Sequence, residues 1–277
     1  MSSVTHLSFC FQKRHNCYVK SATDFLPSCY ISTLVAGDMS RGKKSMNENR
    51  QRFLSEIGIE EPALRYATQV HSRRILLFTD EAEPFLADTE ADGIITTVRT
   101  LVPAVVVADC MPIFLYDSHS GAFGVLHSGW KGTGIAADAI DLLGQRFGSK
   151  PSEVFFIFGP HIRSCCYVVD KSRAAYFSAI DKNCVRLSLT KFLQLRSRRY
   201  ALSLAQANRT LLVGKGVPPE NITDTGLCTC CTKSFAGSVE TRQQGFVFGS
   251  NCRENSGGKF TRMLAVICAT GTTSGAY

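Results

Sequence analysis

Two apolar runs govern what this chain can fold into. The first, LVPAVVVADC, ends on Asp109 and Cys110; the second, AFGVLHSGW, ends on His127 and leads into Gly129, Gly132 and Gly134 around the only tryptophan, Trp130. An apolar run without polar alternation is the mark of a strand covered on both faces. A polar side chain delivered at its end is costly unless something engages it. Read plainly, two core strands happen to end in polar residues. Read more sharply, the two strand ends face each other and hold a site.

The rest of the chain supplies partners for such strands. Ala91 to Thr97 (ADGIITT), PSEVFFIFGP and LAVICA are further β-rich runs, and Arg65 to Thr79 reads as a strand pair interrupted near His71. SMNENRQRFLSEIG sets Phe53, Leu54 and Ile57 on one helical face and stops at Gly58. GIAADAIDLLGQRFG does the same with Ile135, Ala139, Leu142 and Leu143, stopping at Gly148, and SRAAYFSAI and LSLAQANRTLLVGKG are also helical. Strands and helices alternate loosely, without repeat or low-complexity linker. The expected architecture is therefore a single α/β domain over residues 26–277, with mixed β-sheets flanked by helices. Residues 1–25 are read as an N-terminal extension or edge hairpin, and Ser234 to Thr261 as long loops.

Composition removes several classes. Lys and Arg exceed Asp and Glu by 31 − 23 = 8, but the charge is dispersed. Its densest run, KFLQLRSRR, lacks aromatic interleaving, so nucleic acid is not expected as a partner. No apolar run reaches the ~18 residues of a membrane helix, and the opening MSSVTHLSFCFQKRHN lacks a secretory pattern. With 12 cysteines in so long a chain, the expectation is a cytoplasmic protein with reduced thiols and no membrane partner. Nothing in the sequence fixes an oligomeric state.

Three residues sit at or just after apolar runs: His71 in TQVHS, Cys110 in ADCMP and His127 in LHSGW. Their separations, 39 and 17 residues, are too long for a zinc finger and suit ligands gathered by tertiary structure. Two imidazoles and a thiolate make a three-ligand zinc set that leaves one position open, as in catalytic sites. Different roles are open to the same residues. Each could be a satisfied core side chain, or Cys110 and His127 could act as thiolate and base without metal. The CTCC run, Cys228 to Cys231, finds no C-x-x-C partner in Cys252 or Cys268, so Cys230 and Cys231 are read as incidental thiols.

TQVHS, ADGIITT, VVADCMPIFLYD, GVLHSGWKGTG, FGPHIRSCCYVV and LCT followed by a late TRM resemble, in order, the blocks of the YfiH-type laccase-domain family. The resemblance runs from about Leu26 onward. It implies an enzyme that uses phosphate to split adenosine, inosine or methylthioadenosine into base and ribose 1-phosphate, and that also deaminates adenosine. It further implies His71, Cys110 and His127 as zinc ligands. The implied partners are purine nucleosides and phosphate. Two blocks depart from the family pattern. ISTLVAG has Leu34 where an arginine is usual, and the late block reads FAGSVETRQQG and, after an insertion, KFTRM.

Within that frame Asp109 and Cys110 with His127 form the catalytic set, Asp109 being either a proton carrier or a partner that orients Cys110. Lys131, Arg242 and Arg262 are candidate phosphate contacts, and Trp130 could stack on a base or plug the core. Ser32, Gln69 and His161 complete the substrate-side candidates, and Gly129, Gly132 and Gly134 suggest a phosphate cradle at a helix start. Six histidines with no H-x-H pair exclude a trinuclear copper cluster. A single copper held by the same ligands, with minor phenol oxidation, is the competing choice of metal. Two competing functions stand beside the nucleoside enzyme: a nucleoside- or partner-binding module with weakened catalysis, and a hydrolase editing peptidoglycan precursors.

Overall fold

In the computed structural model, residues 17–18, 27–40, 47–84, 86, 88–188, 200–233, 245–255 and 258–269 are described. The two apolar runs become the strands Val102–Val107 and Phe123–Ser128, with Met111–Asp117 between them in sequence. They lie in different sheets, and both faces of each sheet are covered, which is why polar residues do not alternate along them.

The six-stranded sheet runs in the order Ile222–Asp224, Val154–Phe158, Met111–Asp117, Phe123–Ser128, Gly93–Thr96, Ile75–Phe78. Its inner pairings are antiparallel and its two outermost are parallel. The five-stranded sheet runs Cys17–Tyr18, Ser28–Ser32, Met263–Cys268, Val102–Val107, Leu64–Arg65, with Met263–Cys268 antiparallel to both neighbours. The period-2 alternation of strand side chains divides the core into layers. Met263, Ala265 and Ile267 join Val105, Val107, Phe114, Phe123 and Val125 between the two sheets. Leu264, Val266 and Cys268 face the other way, onto Phe53 and Leu54 of the helix Glu48–Glu56. On the far side of the six-stranded sheet, Met111, Ile113, Leu115 and Leu126 pack on the helices Ile135–Phe147 and Leu204–Gly214.

A small third sheet, Val168–Val169, Tyr200–Leu202 and Val185–Leu187, packs with the helix Lys171–Ile180 through Phe177 and Leu202. Three helices start where short polar side chains meet free amides: Asn47, Asp170 and Ser203 each accept a backbone N–H of the first turn. The mixed α/β architecture is as expected. The strand pair expected over 65–79 is instead two short strands in different sheets, Leu64–Arg65 and Ile75–Phe78, each parallel to a neighbour. Of the first 25 residues only Cys17–Tyr18 is described, paired antiparallel with Ile31 and Ser32. The basic run of residues 191–199 lies outside the described residues, as does much of the late loop region.

Candidate metal centre and its cavity

The chain leaves one sheet at Val107 and enters the other at Met111, so Ala108, Asp109 and Cys110 form the crossing between sheets. Antiparallel register then sets His127 opposite Pro112, directly beside Cys110. His71 comes from the segment that precedes Ile75–Phe78. The donor atoms of His71, Cys110 and His127 all lie within 4.8 Å of one another, and the two imidazoles meet edge to face with centroids 4.9 Å apart. Among the described residues only His71 (φ 60°) and Asp109 (φ 79°) occupy the left-handed backbone region without being glycine. Both belong to the site, as strained residues at functional positions often do.

One carboxylate organises the two histidines. Asp92, fully buried just before the Gly93–Thr96 strand, accepts His127 Nδ1 at 2.7 Å and the His71 N–H at 3.0 Å through Oδ1. Its Oδ2 accepts the Val70 N–H at 3.2 Å, the Ser72 N–H at 2.7 Å and the Ser72 hydroxyl at 2.8 Å. Asp92 thus fixes the His71 segment and assigns the His127 tautomer, leaving Nε2 for the site. Burial works to raise its pKa, and the His127 and Ser72 donors outweigh that, bringing it to about 2. Burial likewise works against ionising His127, but Asp92 and Cys110 raise it to about 9. For Cys110, hydrogen bonds from His127 and His71 overcome burial and lower the thiol to about 6. These shifts favour the Cys110 thiolate, the form of the thiol that binds a metal or acts as a nucleophile, while His127 would give up its Nε2 proton on becoming a ligand.

Space at the centre is held open by Gly129. A Cβ there would sit 2.8 Å from Cys110 Sγ and 3.1 Å from His71 Cδ2. Two imidazoles and a thiolate converging from three segments, with a glycine keeping their approach clear, fit a transition-metal ion with a free coordination position.

His71, Asp109 and Cys110 open onto a cavity of about 470 Å³, also lined by Trp130, Lys131, Tyr167, Arg173 and Cys252. Arg173 stacks on Trp130 with its guanidinium 4.5 Å from the ring centroid, and Lys131 Nζ lies 5.6 Å from it. Asp109 accepts two hydrogen bonds: Oδ1 from the Thr229 hydroxyl at 2.7 Å and Oδ2 from the Cys252 N–H at 2.6 Å.

The remaining site residues expected from sequence stand elsewhere. The Ser32 hydroxyl accepts the Leu264 N–H at 2.9 Å, inside the five-stranded sheet. Gln69 clasps Val106, donating to its carbonyl at 2.8 Å and accepting its N–H at 2.7 Å. His161 is buried, with Nδ1 2.8 Å from the Gly159 carbonyl, and burial lowers its pKa to about 4. Arg262 stacks on Phe260 and turns toward Asp38, and Arg242 lies outside the described residues. Nor is the Ile135 helix start an open cradle. Its Ile135 and Ala137 amides donate to the Gly132 and Gly134 carbonyls, and its Asp138 pairs with Arg73. Sequence reasoning misses Asp92, Tyr167 and Arg173; the one signal for Asp92 is a carboxylate placed at the start of a fully apolar strand. Cys230 and Cys231 are not isolated thiols either, because Cys165 and Cys166 come up beside the CTCC run.

By fold and site, the molecule is a mixed α/β domain with a candidate metal pocket where the chain crosses between its two sheets. No helix among the described residues is long and apolar enough to cross a membrane. The chain belongs to the family described as multi-copper polyphenol oxidoreductase laccase, whose model matches residues 27–247. It is 30% identical over 190 residues to the purine nucleoside phosphorylase YlmD of Bacillus subtilis, covering 66% of this chain and 67% of that one. It is 31% identical to mouse purine nucleoside phosphorylase LACC1, covering 68% of this chain and 43% of that protein. The adenosine deaminase RL5 of an unknown prokaryotic organism is 30% identical, with 66% of this chain and 71% of that protein covered. The crystal structure of YlmD from Geobacillus stearothermophilus superposes with a TM-score of 0.74 at 25% identity, over 94% of this chain and 98% of that one. The chain thus spans about two thirds of the Bacillus relative and under half of the mouse protein.

Proposed function

We propose that this chain is a zinc-dependent purine nucleoside enzyme whose main reaction is phosphorolysis. The observation that carries the reading is the convergence of His71, Cys110 and His127 beside a cavity lined by the Trp130 and Tyr167 rings and two cations. A zinc ion held by these three residues would supply Lewis-acid polarisation and water activation. Trp130, backed by Arg173, offers a face for a purine. Lys131 and Arg173 are the cations facing the cavity, and they suit the phosphate that attacks C1′ as the bond to the purine nitrogen breaks and its electron pair leaves with the base. Asp109, with both oxygens accepting hydrogen bonds, anchors the crossing segment that carries Cys110.

The relatives named purine nucleoside phosphorylase and adenosine deaminase support the substrate class. The reading is tested by incubating metal-replete protein with inosine or adenosine, with and without phosphate, and separating the products. Hypoxanthine or adenine plus ribose 1-phosphate should form only with phosphate, and Cys110→Ala should abolish it. Release of inosine alone from adenosine would move the assignment to deamination; no turnover of either nucleoside would overturn the enzyme reading.

A further inference from the structure

Four of the cysteines that the mechanism leaves unused lie together. The sulfurs of Cys165, Cys166, Cys228 and Cys231 all lie within 4.8 Å of one another, with Cys165 and Cys231 Sγ 3.6 Å apart. Four sulfurs each about 2.3 Å from one zinc stand about 3.8 Å apart along every tetrahedral edge. The four thiols are thus already close to the spacing that a single ion requires.

The backbone around them is arranged as it is around a bound thiolate. Cys228 and Cys231 form a C-x-x-C turn, and the N–H groups of Arg163, Cys231 and Cys230 point at Cys228 Sγ, that of Arg163 at 3.5 Å. The Thr232 N–H donates to the Cys228 carbonyl, tightening this turn, while the Cys166 and Tyr167 N–H groups converge on the Arg163 carbonyl in the facing one. Two turns, each presenting a pair of sulfurs, face each other. All-sulfur tetrahedral sets select zinc or iron–sulfur centres, and spacing this tight leaves room for one ion rather than a cluster.

We propose that Cys165, Cys166, Cys228 and Cys231 hold a second, structural zinc. The site adjoins the catalytic centre through Asp109. The Thr229 hydroxyl donates to Asp109 Oδ1, and the Ile162 N–H donates to the Asp109 carbonyl at 2.9 Å. Thr229 and Ile162 belong to the two segments that the ion would tie together. Clamping them fixes the residue next to Cys110 in its left-handed conformation, so the second zinc serves the first site without touching its cavity. It closes a loop of more than sixty residues between the turns, where a crosslink constrains the unfolded chain most.

The test is a metal count on the full chain, purified under reducing conditions, beside Cys110→Ala and the double variant Cys165→Ser/Cys231→Ser. Both residues of the double variant are exposed, so serine is tolerated there. Two zinc ions per parent chain and one in Cys110→Ala are expected, with the double variant losing one equivalent relative to the parent. Cobalt added to Cys110→Ala should give the intense visible absorption of tetrahedral cobalt thiolate, and the double variant should lack it. A Cys110→Ala chain without zinc or cobalt absorption would overturn the second site, as would a double variant with the parental metal count or Cys165–Cys231 isolated as a disulfide. Retention of both ions in Cys110→Ala would overturn only the first site, so the two assignments fail separately.

Discussion

Replacing Asp92 by asparagine changes almost no volume and separates shape from charge at the centre of the site. The carboxylate accepts five hydrogen bonds, two on Oδ1 from His127 Nδ1 and the His71 N–H, and three on Oδ2 from Val70 and Ser72. An amide has one acceptor oxygen, so its NH2 must face donors whichever way it turns. Turned toward His127, it confronts an imidazole N–H and a backbone N–H. Turned away, it confronts the Val70 and Ser72 amides while only the Ser72 hydroxyl can rotate to accept. Two donors, partly buried apart from His127 Nδ1, lose their partner either way, at about 0.5–1.5 kcal/mol for each bond, so destabilisation of roughly 1–3 kcal/mol is expected. Metal affinity should fall by about 10- to 100-fold, because the partner that fixes the His127 tautomer is weakened. Competition against a chromophoric chelator reads the affinity, and denaturant unfolding of the same preparation reads stability. A folded Asp92→Asn protein whose zinc affinity stays within about twofold of the parent would refute the role given to this carboxylate.

Gly129→Ala should place a methyl 2.8 Å from Cys110 Sγ. Overpacking of about 1–3 kcal/mol predicts a roughly 5- to 150-fold loss of metal affinity, read in the same chelator assay, whereas Gly144→Ala on the Ile135–Phe147 helix should bind as the parent does. Equal affinities in the two variants would mean that the glycine is not guarding the ligand positions. His161 governs a pH effect. Its folded pKa of about 4 lies below the unfolded value near 6.5, so the unfolded chain takes up its proton first as pH falls. The stability contribution is complete above pH ~6.5 and declines toward pH ~4, by roughly 3 kcal/mol in all. Unfolding measured from pH 7 to 4.5 should show a steeper decline for the parent than for His161→Gln. Parallel declines would place the buried imidazole's titration elsewhere.

The candidate metal centre is legible in the sequence because burial marks it. Cys110 and His127 end apolar runs, and polar residues there attract notice before any partner is known. His71 is marked in the same way by its place in TQVHS, and the family resemblance joins the three as one ligand set. Asp92 is hidden because its function is to receive hydrogen bonds from residues 20 to 35 positions away, a relation that no local pattern encodes. A different relation holds for Gln69, Ser32 and His161. Each lies within a motif block, yet its polar atoms meet backbone groups of the core. A motif records that a side chain is needed without saying whether for substrate or for fold. The small third sheet escapes because strands of two or three residues carry no usable period. The cysteine pair at 165 and 166 escapes too, because the usual spacing rule asks for a second C-x-x-C, while the fold supplies two adjacent residues.

The placement of Met263–Cys268 between Ser28–Ser32 and Val102–Val107 orders events in time. On the ribosome, the strand that leads into Cys110 is made more than 150 residues before the neighbour that completes its sheet. Until residues 263–268 emerge, two apolar strands have bare edges facing each other across a missing place, and the crossing that carries Asp109 and Cys110 has only half its support. Closure of the sheet is a long-range event, slow by its topology, so newly made chains pass through an interval in which they depend on chaperones and are open to edge-to-edge association.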